Sequence, residues 1–295
     1  MIRFRDAGAK NSKRLAVIGI AVILVVVGVF TMLSCEDEKP EDDARFCRSV
    51  LPLKDEGRSD SIDRCGERLE SAMTGRPPGA ARPKDPVPHT DKQIRAFENV
   101  VNAYARHTAN DYSRMPGQIR GNMASALTYY SREVHEILGG QVDGGYPEQR
   151  VKVEQTSLRG FIRAVAEDSK SFHAVREAQM GYIAEDIQQL DRRILSVEPR
   201  GDTDEAREVV VEAGSVVGAL TRIRAEALSG ESSDKGSAES EAELSKDYEE
   251  NGYPRLRNLI HERAREVGIP EGDISNSGGR LADITGWANA AYNAK

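Results

Sequence analysis

LRGFIRAVAEDSKSFHAVREAQMGYIAEDIQQLDRRIL, residues 158–195, sets the fold class. Leu158, Phe161, Ile162 and Val165 recur at spacings of three and four. After Ser171 the same rhythm returns in Phe172, Val175, Tyr182, Ile183, Ile187, Leu190 and Ile194. A period near 3.6 buries one face of a helix, whereas a half-buried strand would alternate. The stretch predicts two consecutive helices, the second about 25 residues long.

The same pattern continues downstream. A helix beginning near Thr203 carries Ala206, Val209, Val210, Ala213, Val216, Val217, Leu220 and Ile223, and its Gly214 and Gly218 leave a smooth patch for close approach of a neighbouring helix. SGESSDKGSAESEAE, from Ser229, is polar and poor in aliphatics, and reads as a mobile excursion over 229–240. Arg255 to Val267 predicts a short basic amphipathic helix with Leu256, Leu259, Ile260 and Val267 inward. Its Arg255, Arg257, Arg263 and Arg265 are interleaved with Glu262 and Glu266, so ordinary pairing along the helix is the simpler reading of this basic face and an acidic partner or polymer the alternative. A last helix around Leu281, Ile284 and Trp287 docks the chain end.

Upstream, Thr90 to Gln93 forms a capping box ahead of Ile94, Phe97, Val101 and Tyr104. Pro116, suited to a first helical position, introduces a single helix with Ile119, Met123, Leu127, Tyr130, Val134, Ile137 and Leu138, ended by Gly139-Gly140. QVDGGYPEQRVKVEQ, residues 141–155, is where a short strand has room. Neither a 30–45-residue repeat nor sustained heptads occur.

Before this domain, Phe46, Val50 and Leu51 mark one helix-sized segment and Ile62, Cys65, Leu69 and Met73 another. They predict a small hairpin set apart from the main domain by GRPPGAARPKDPVPH, whose prolines imply a stiff, extended spacer.

The amino-terminal run is of another kind. Leu15 to Leu33 carries no charge, and a helix of that length spans a hydrocarbon layer of roughly 30 Å. Its Leu, Ile, Val and Phe contribute at most roughly −4 to −8 kcal/mol to insertion. Arg3, Arg5, Lys10, Lys13 and Arg14 precede the run, and Glu36, Asp37, Glu38, Glu41, Asp42 and Asp43 follow it. Basic flanks stay in the cytoplasm, so the carboxy-terminal domain is expected outside, on the far face of a plasma membrane. The run exceeds a secretory h-region, which favours a retained span. Met32-Leu33-Ser34-Cys35 also resembles a bacterial lipobox, which makes Cys35 the lipidation candidate. Both readings tether the same domain to the same face.

The chain of 295 residues has a net charge of −7, and residues 1–14 carry +4, which leaves −11 for the remainder. Such a surface repels nucleic acid and anionic head groups. Outside the cytoplasm disulfides persist, and Cys47 with Cys65 closes a loop of about 18 residues worth roughly 3 kcal/mol. A buried reduced pair is the alternative.

Catalytic motifs are missing. His135-Glu136 begins an H-E-x-x-H, but Gly139 stands where the second histidine belongs. His89, His107, His135, His173 and His261 show no metal-ligand spacing. LGGQVDGG and NSGGR lack the Lys-Ser/Thr of a phosphate loop, no G-x-S-x-G is present, and Ser232 to Lys235 stands without its partner motifs. Asp186 with Asp191, or Glu167 with Asp168, is the carboxylate pair one would pose for glycan cleavage. Solvated surface is the simpler reading of both. No catalytic, cofactor or metal residue is assigned.

Residues 158–182, with Ala178, Gln179 and Tyr182 in the second helix, resemble a helical region in actinobacterial proteins associated with WXG-type (type VII) secretion and polymorphic toxins. MPGQIRGNMASALTYYSREVHEIL and EAGSVVGALTRIRAEAL are similar in kind, which extends the likeness over about residues 90–290. The resemblance implies an all-α fold and supplies no catalytic residue. This chain differs in carrying its own anchor and in having neither a WXG module nor a toxin domain.

The expectation is therefore an all-α protein. It has a cytoplasmic tail (1–14), a single transmembrane helix or lipoprotein signal (15–34), an acidic tether with a helical hairpin (35–74), a Pro-rich linker (75–89) and a multi-helix extracytoplasmic domain (90–295). The function expected is that of a membrane-anchored interaction or scaffold protein without catalytic activity, its partners membrane lipid through the anchor and a protein at the bacterial surface, with no nucleic acid. The alternatives are a cell-wall-acting enzyme and a self-protection protein against a toxin. An enzyme predicts a deep cleft with converging acids or a His, and a binding module predicts an exposed apolar patch of several hundred Å².

Overall fold

Helix follows helix in the computed structural model, which describes residues 59–81, 88–110, 115–140, 151–197, 204–231 and 237–294. Among these residues there are twelve helices and no strand. They are α1 (Ser59–Thr74), α2 (Asp91–Asn110), α3 (Gly117–Tyr129), α4 (Ser131–Gly139), α5 (Gln155–Ala166) and α6 (Ser169–Gln189). There follow α7 (Arg192–Ser196), α8 (Glu205–Glu231), α9 (Ser237–Asn251), α10 (Tyr253–Glu266), α11 (Glu271–Ile274) and α12 (Arg280–Asn293). The basic tail, the apolar run 15–34, Cys35, Cys47 and the segment holding Phe46, Val50 and Leu51 lie outside the described residues. No described helix is long and apolar enough to cross a membrane.

The longest helix, α8, is the axis. Ala206, Val210, Ala213, Val216, Val217, Leu220 and Ile223 are buried along it, and α4, α5, α6, α9, α10 and α12 pack around it. Gly214 and Gly218 face α12 so closely that a Cβ on either would overlap a carbonyl oxygen, that of Ala288 or Tyr292. The pair that read as a smooth patch is the contact between α8 and the chain's last helix.

A second layer is built on α1, α2 and α3. Cys65, Leu69 and Met73 of α1 are buried against α3 and α2, in the same hydrophobic core that continues to Tyr292. At roughly 1.5–3 kcal/mol per buried aliphatic side chain, this face binds α1 firmly to the main domain. The first segment of the expected hairpin and residues 82–87 of the expected spacer lie outside the described residues. Gly75, at a φ of 66°, turns the chain out of α1, and its N–H donates to the Ser71 carbonyl at 2.7 Å. Ala80 N donates back to Pro77 at 3.1 Å, Gly79 N to Glu70 Oε1 at 2.8 Å, and Gln93 Nε2 to the Thr74 carbonyl at 2.6 Å. Prolines with a left-handed glycine beside them make a return here instead of a rod.

The capping box forms as read. Thr90 N donates to Gln93 Oε1 at 2.7 Å and Gln93 N to Thr90 Oγ1 at 3.3 Å. The helix drawn through 117–139 is divided at Tyr130 (φ −93°, ψ 28°) into α3 and α4. Tyr130 is fully buried, stacks on Phe97 at 4.2 Å and donates its hydroxyl to the Met73 carbonyl at 2.9 Å. Its N–H still reaches Ala126 and its carbonyl still accepts from Val134, so the result is a kink with the ladder retained. Gly140 ends α4 in the left-handed conformation, as its sequence position implied.

The 25-residue helix also divides. Asp191 caps α7 by accepting from Ile194 N at 2.8 Å, and the Leu190 carbonyl released from the ladder takes Arg263 Nε at 3.0 Å. Residues 151–154 hold no strand, although Val151 and Val153 turn inward in alternation. The polar segment 229–240 is entered by helix from both sides, α8 reaching Glu231 and α9 starting at Ser237. Residues 232–236 between them lie outside the described residues, and past Ser240 the helix formers Glu241, Ala242, Glu243 and Leu244 carry α9 onward.

Candidate functional site

Most residues singled out from the sequence have structural occupations. Asp168 is the N-cap of α6, and its carboxyl is held below the usual range by the Ser171 hydroxyl and N–H, the latter at 2.7 Å. Glu167 pairs with Arg120 of α3, and Asp191 caps α7. Asp186 is pushed upward by burial and by Glu185, with Arg132 opposing. Neither posed carboxylate pair therefore forms an acid and base. The arginines of α10 reach outward to other elements instead of along their own helix. Arg255 binds Glu177 of α6 at 2.6 Å, Arg265 binds Glu271 at 3.1 Å, and only Arg263–Glu266 is intrahelical. Arg257 is exposed.

Cys65 is 2% exposed and disulfide-bonded. The half-cystine it joins lies outside the described residues, as does the choice between Cys47 and Cys35.

The histidines divide by burial. His173 is exposed and His261 half-buried. His89 stacks on Tyr130 at 4.1 Å, with Nε2 3.3 Å from Glu133. His135 is the one that resembles machinery. It lies buried where α4, α6 and α8 meet, with the Tyr182 ring at 4.7 Å and Glu212 Oε1 at 3.8 Å from Nε2. Desolvation lowers its pKa to about 4, a nearby Gln179 opposing. His135 Nδ1 and Gln179 Oε1 both lack a hydrogen-bond partner. Gln179 meanwhile anchors Ser131 through Nε2 at 2.8 Å. His135 is 2% exposed, which makes this cluster an internal polar joint between three helices.

A concavity lies elsewhere. An open cleft of about 600 Å³ lies between the second half of α1 and the start of α2, with Glu67, Arg68, Ser71, Thr90, Lys92 and Gln93 in its walls. Residues 82–87, which connect its two sides, lie outside the described residues. Ala72, Gly75 and Pro78 complete its described lining, and among the described residues Glu67 has no second acid there with which to share a proton. Behind it, Glu70 is buried and satisfied, accepting from Ser125 Oγ at 2.5 Å, Asn122 Nδ2 at 2.7 Å and Gly79 N. Among the described residues no three His, Cys, Asp or Glu side chains gather as a metal site.

The apolar patch expected of a binding module is also missing from the described surface. Its exposed large hydrophobics are Val197 and Tyr248, on separate elements. Charge dominates instead, and sequence reasoning overlooked the part of it that is buried: Arg176 and Arg224, each 4% exposed. The only available hint was an arginine inside an otherwise apolar helical face. Comparisons with protein-family models, curated proteins and solved structures found no match to this chain.

Proposed function

We propose that this protein is a membrane-tethered, extracytoplasmic helical domain that works by holding a protein partner through charged surface. The observation that carries the reading is the uncharged run Leu15–Leu33, basic on one side and acidic on the other, joined to an acidic helical domain. A bonded Cys65 supports an oxidising compartment. The binding role is supported by the occupation of the carboxylates as caps and ion-pair partners, and by the tying together of helices distant in sequence. Arg280 clasps Asp204 at 2.6 and 2.7 Å, and Arg255 clasps Glu177. Such bidentate pairs fix a rigid, polar surface of the kind that recognises a partner by charge.

The test is protease shaving of intact cells expressing the chain with a carboxy-terminal epitope. The epitope is expected to be lost from whole cells and to fractionate with membranes beforehand. An epitope protected until lysis, or found in the soluble fraction, overturns the assignment.

A further inference from the structure

Helix α9 is attached in an unusual way. Its sequence, SAESEAELSKDYEEN, has six acids and one lysine, and none of its described side chains, 241–251, is buried. Leu244 is half-buried and Tyr248 lies largely in solvent, its ring 6.2 Å from that of Tyr292. What α9 does contribute is two carboxylates. Asp247 receives both terminal nitrogens of Arg176, one at 2.8 Å, and Glu243 receives Arg224. The two acids stand four residues apart and so share one helical face.

The surface beneath is built for anions. Arg176 and Arg224 flank the Phe172 ring, their guanidinium carbons 4.5 and 5.9 Å from its centroid. Arg224 is anchored independently of α9. It donates to the carbonyl of Ala166, the last residue of α5, and to Ser169 Oγ at 2.6 Å. A helix carboxy-terminus favours that cation, and the aromatic face favours both. Arg224 is therefore hydrogen-bonded from below, Arg176 rests there on the Phe172 ring alone, and both receive their carboxylates from above. When α9 lifts, water reaches the guanidinium groups as the acids leave, so no uncompensated buried charge is created.

We propose that the Arg176–Phe172–Arg224 face is a docking site for an acidic helical segment of a partner protein. In this arrangement α9 is its displaceable occupant, with Glu243 and Asp247 in the positions the partner's acids take. The proposal gives the partner role above its chemistry and rests on that role for its setting. The assay uses purified chain, so its outcome is independent of the membrane topology that protease shaving tests.

The probe is a fluorescein-labelled peptide of residues 237–251, read by anisotropy against the full chain. Glu243→Gln with Asp247→Asn loosens the occupant, and the peptide is expected to bind this double variant at least tenfold more tightly than the unsubstituted chain. Adding Arg176→Gln and Arg224→Gln is expected to abolish that binding. A second reading needs no arginine substitution: excess peptide accelerates amide exchange in α9 of the double variant and leaves α8 and α10 unchanged. Equal binding to both chains, unaltered α9 exchange, or equal binding of a scrambled peptide of the same composition overturns the proposal. The last of these leaves a general anion surface only.

Discussion

The carbonyl oxygen of Tyr292 occupies the space that a Cβ on Gly218 would need, and Ala288 stands in the same relation to Gly214. A backbone atom yields less readily than a side chain, so Gly218→Ala must push α12 away from α8. The expected loss is about 1–3 kcal/mol by urea titration, the usual range for overpacking a filled interface. Gly121→Ala, on the open face of α3 with nothing near its Cβ, is expected to stabilise by up to about 1 kcal/mol. Equal responses at the two sites would contradict the close approach.

His135 provides a pH signature. Burial lowers its pKa from 6.5 to about 4, so the folded state holds it neutral while the unfolded chain protonates readily. Its contribution is complete above the unfolded pKa and is lost as pH falls from about 6.5 to about 4, by an amount on the order of 3 kcal/mol. Urea midpoints of the wild type and His135→Gln are expected to diverge over this window. Parallel pH profiles would mean that the imidazole is not buried.

Glu70→Gln is expected to behave as a severe change despite its shape. A carboxylate accepts from Asn122 Nδ2, Ser125 Oγ and Gly79 N together, whereas an amide nitrogen faces a donor with a donor. A cost of about 2 kcal/mol follows from one buried donor left unpaired. Thermal unfolding of Glu70→Gln and Asn122→Ala, singly and combined, checks it, because non-additivity marks the shared bond.

Reductant should matter to the α1 layer. Cleaving the Cys65 bridge is expected to lower stability by about 2–4 kcal/mol, and Cys65→Ala should show no response to dithiothreitol. A non-reducing peptide map distinguishes Cys47 from Cys35 as the second half-cystine. An unfolding midpoint indifferent to reductant in the wild type would contradict a stabilising bridge.

Legibility in the sequence followed the range of the interaction. The capping box at Thr90 and Gln93, the left-handed Gly140 and the apolar stripe of α8 depend on neighbours three or four residues away, and all were readable. The Gly214–Gly218 pair was readable as a close approach because only glycine leaves that space, although α12 as its partner was not. The kink at Tyr130 was invisible, since its cause is the Met73 carbonyl and the Phe97 ring on other helices.

The buried arginines mark the same boundary. Nothing near Arg176 or Arg224 in the chain hints that one meets Asp247 and the other Ala166 and Glu243, because those partners lie between 19 and 71 residues away. Periodicity and local turn chemistry by themselves determined that the regular structure of the described residues is all helix, since helical bonds close within four residues. Which charges are sheltered, which helix rests on ion pairs, and where α1 docks were decided only when distant segments were brought together. Burial and Coulomb energy depend on distance in space, which a linear pattern does not encode.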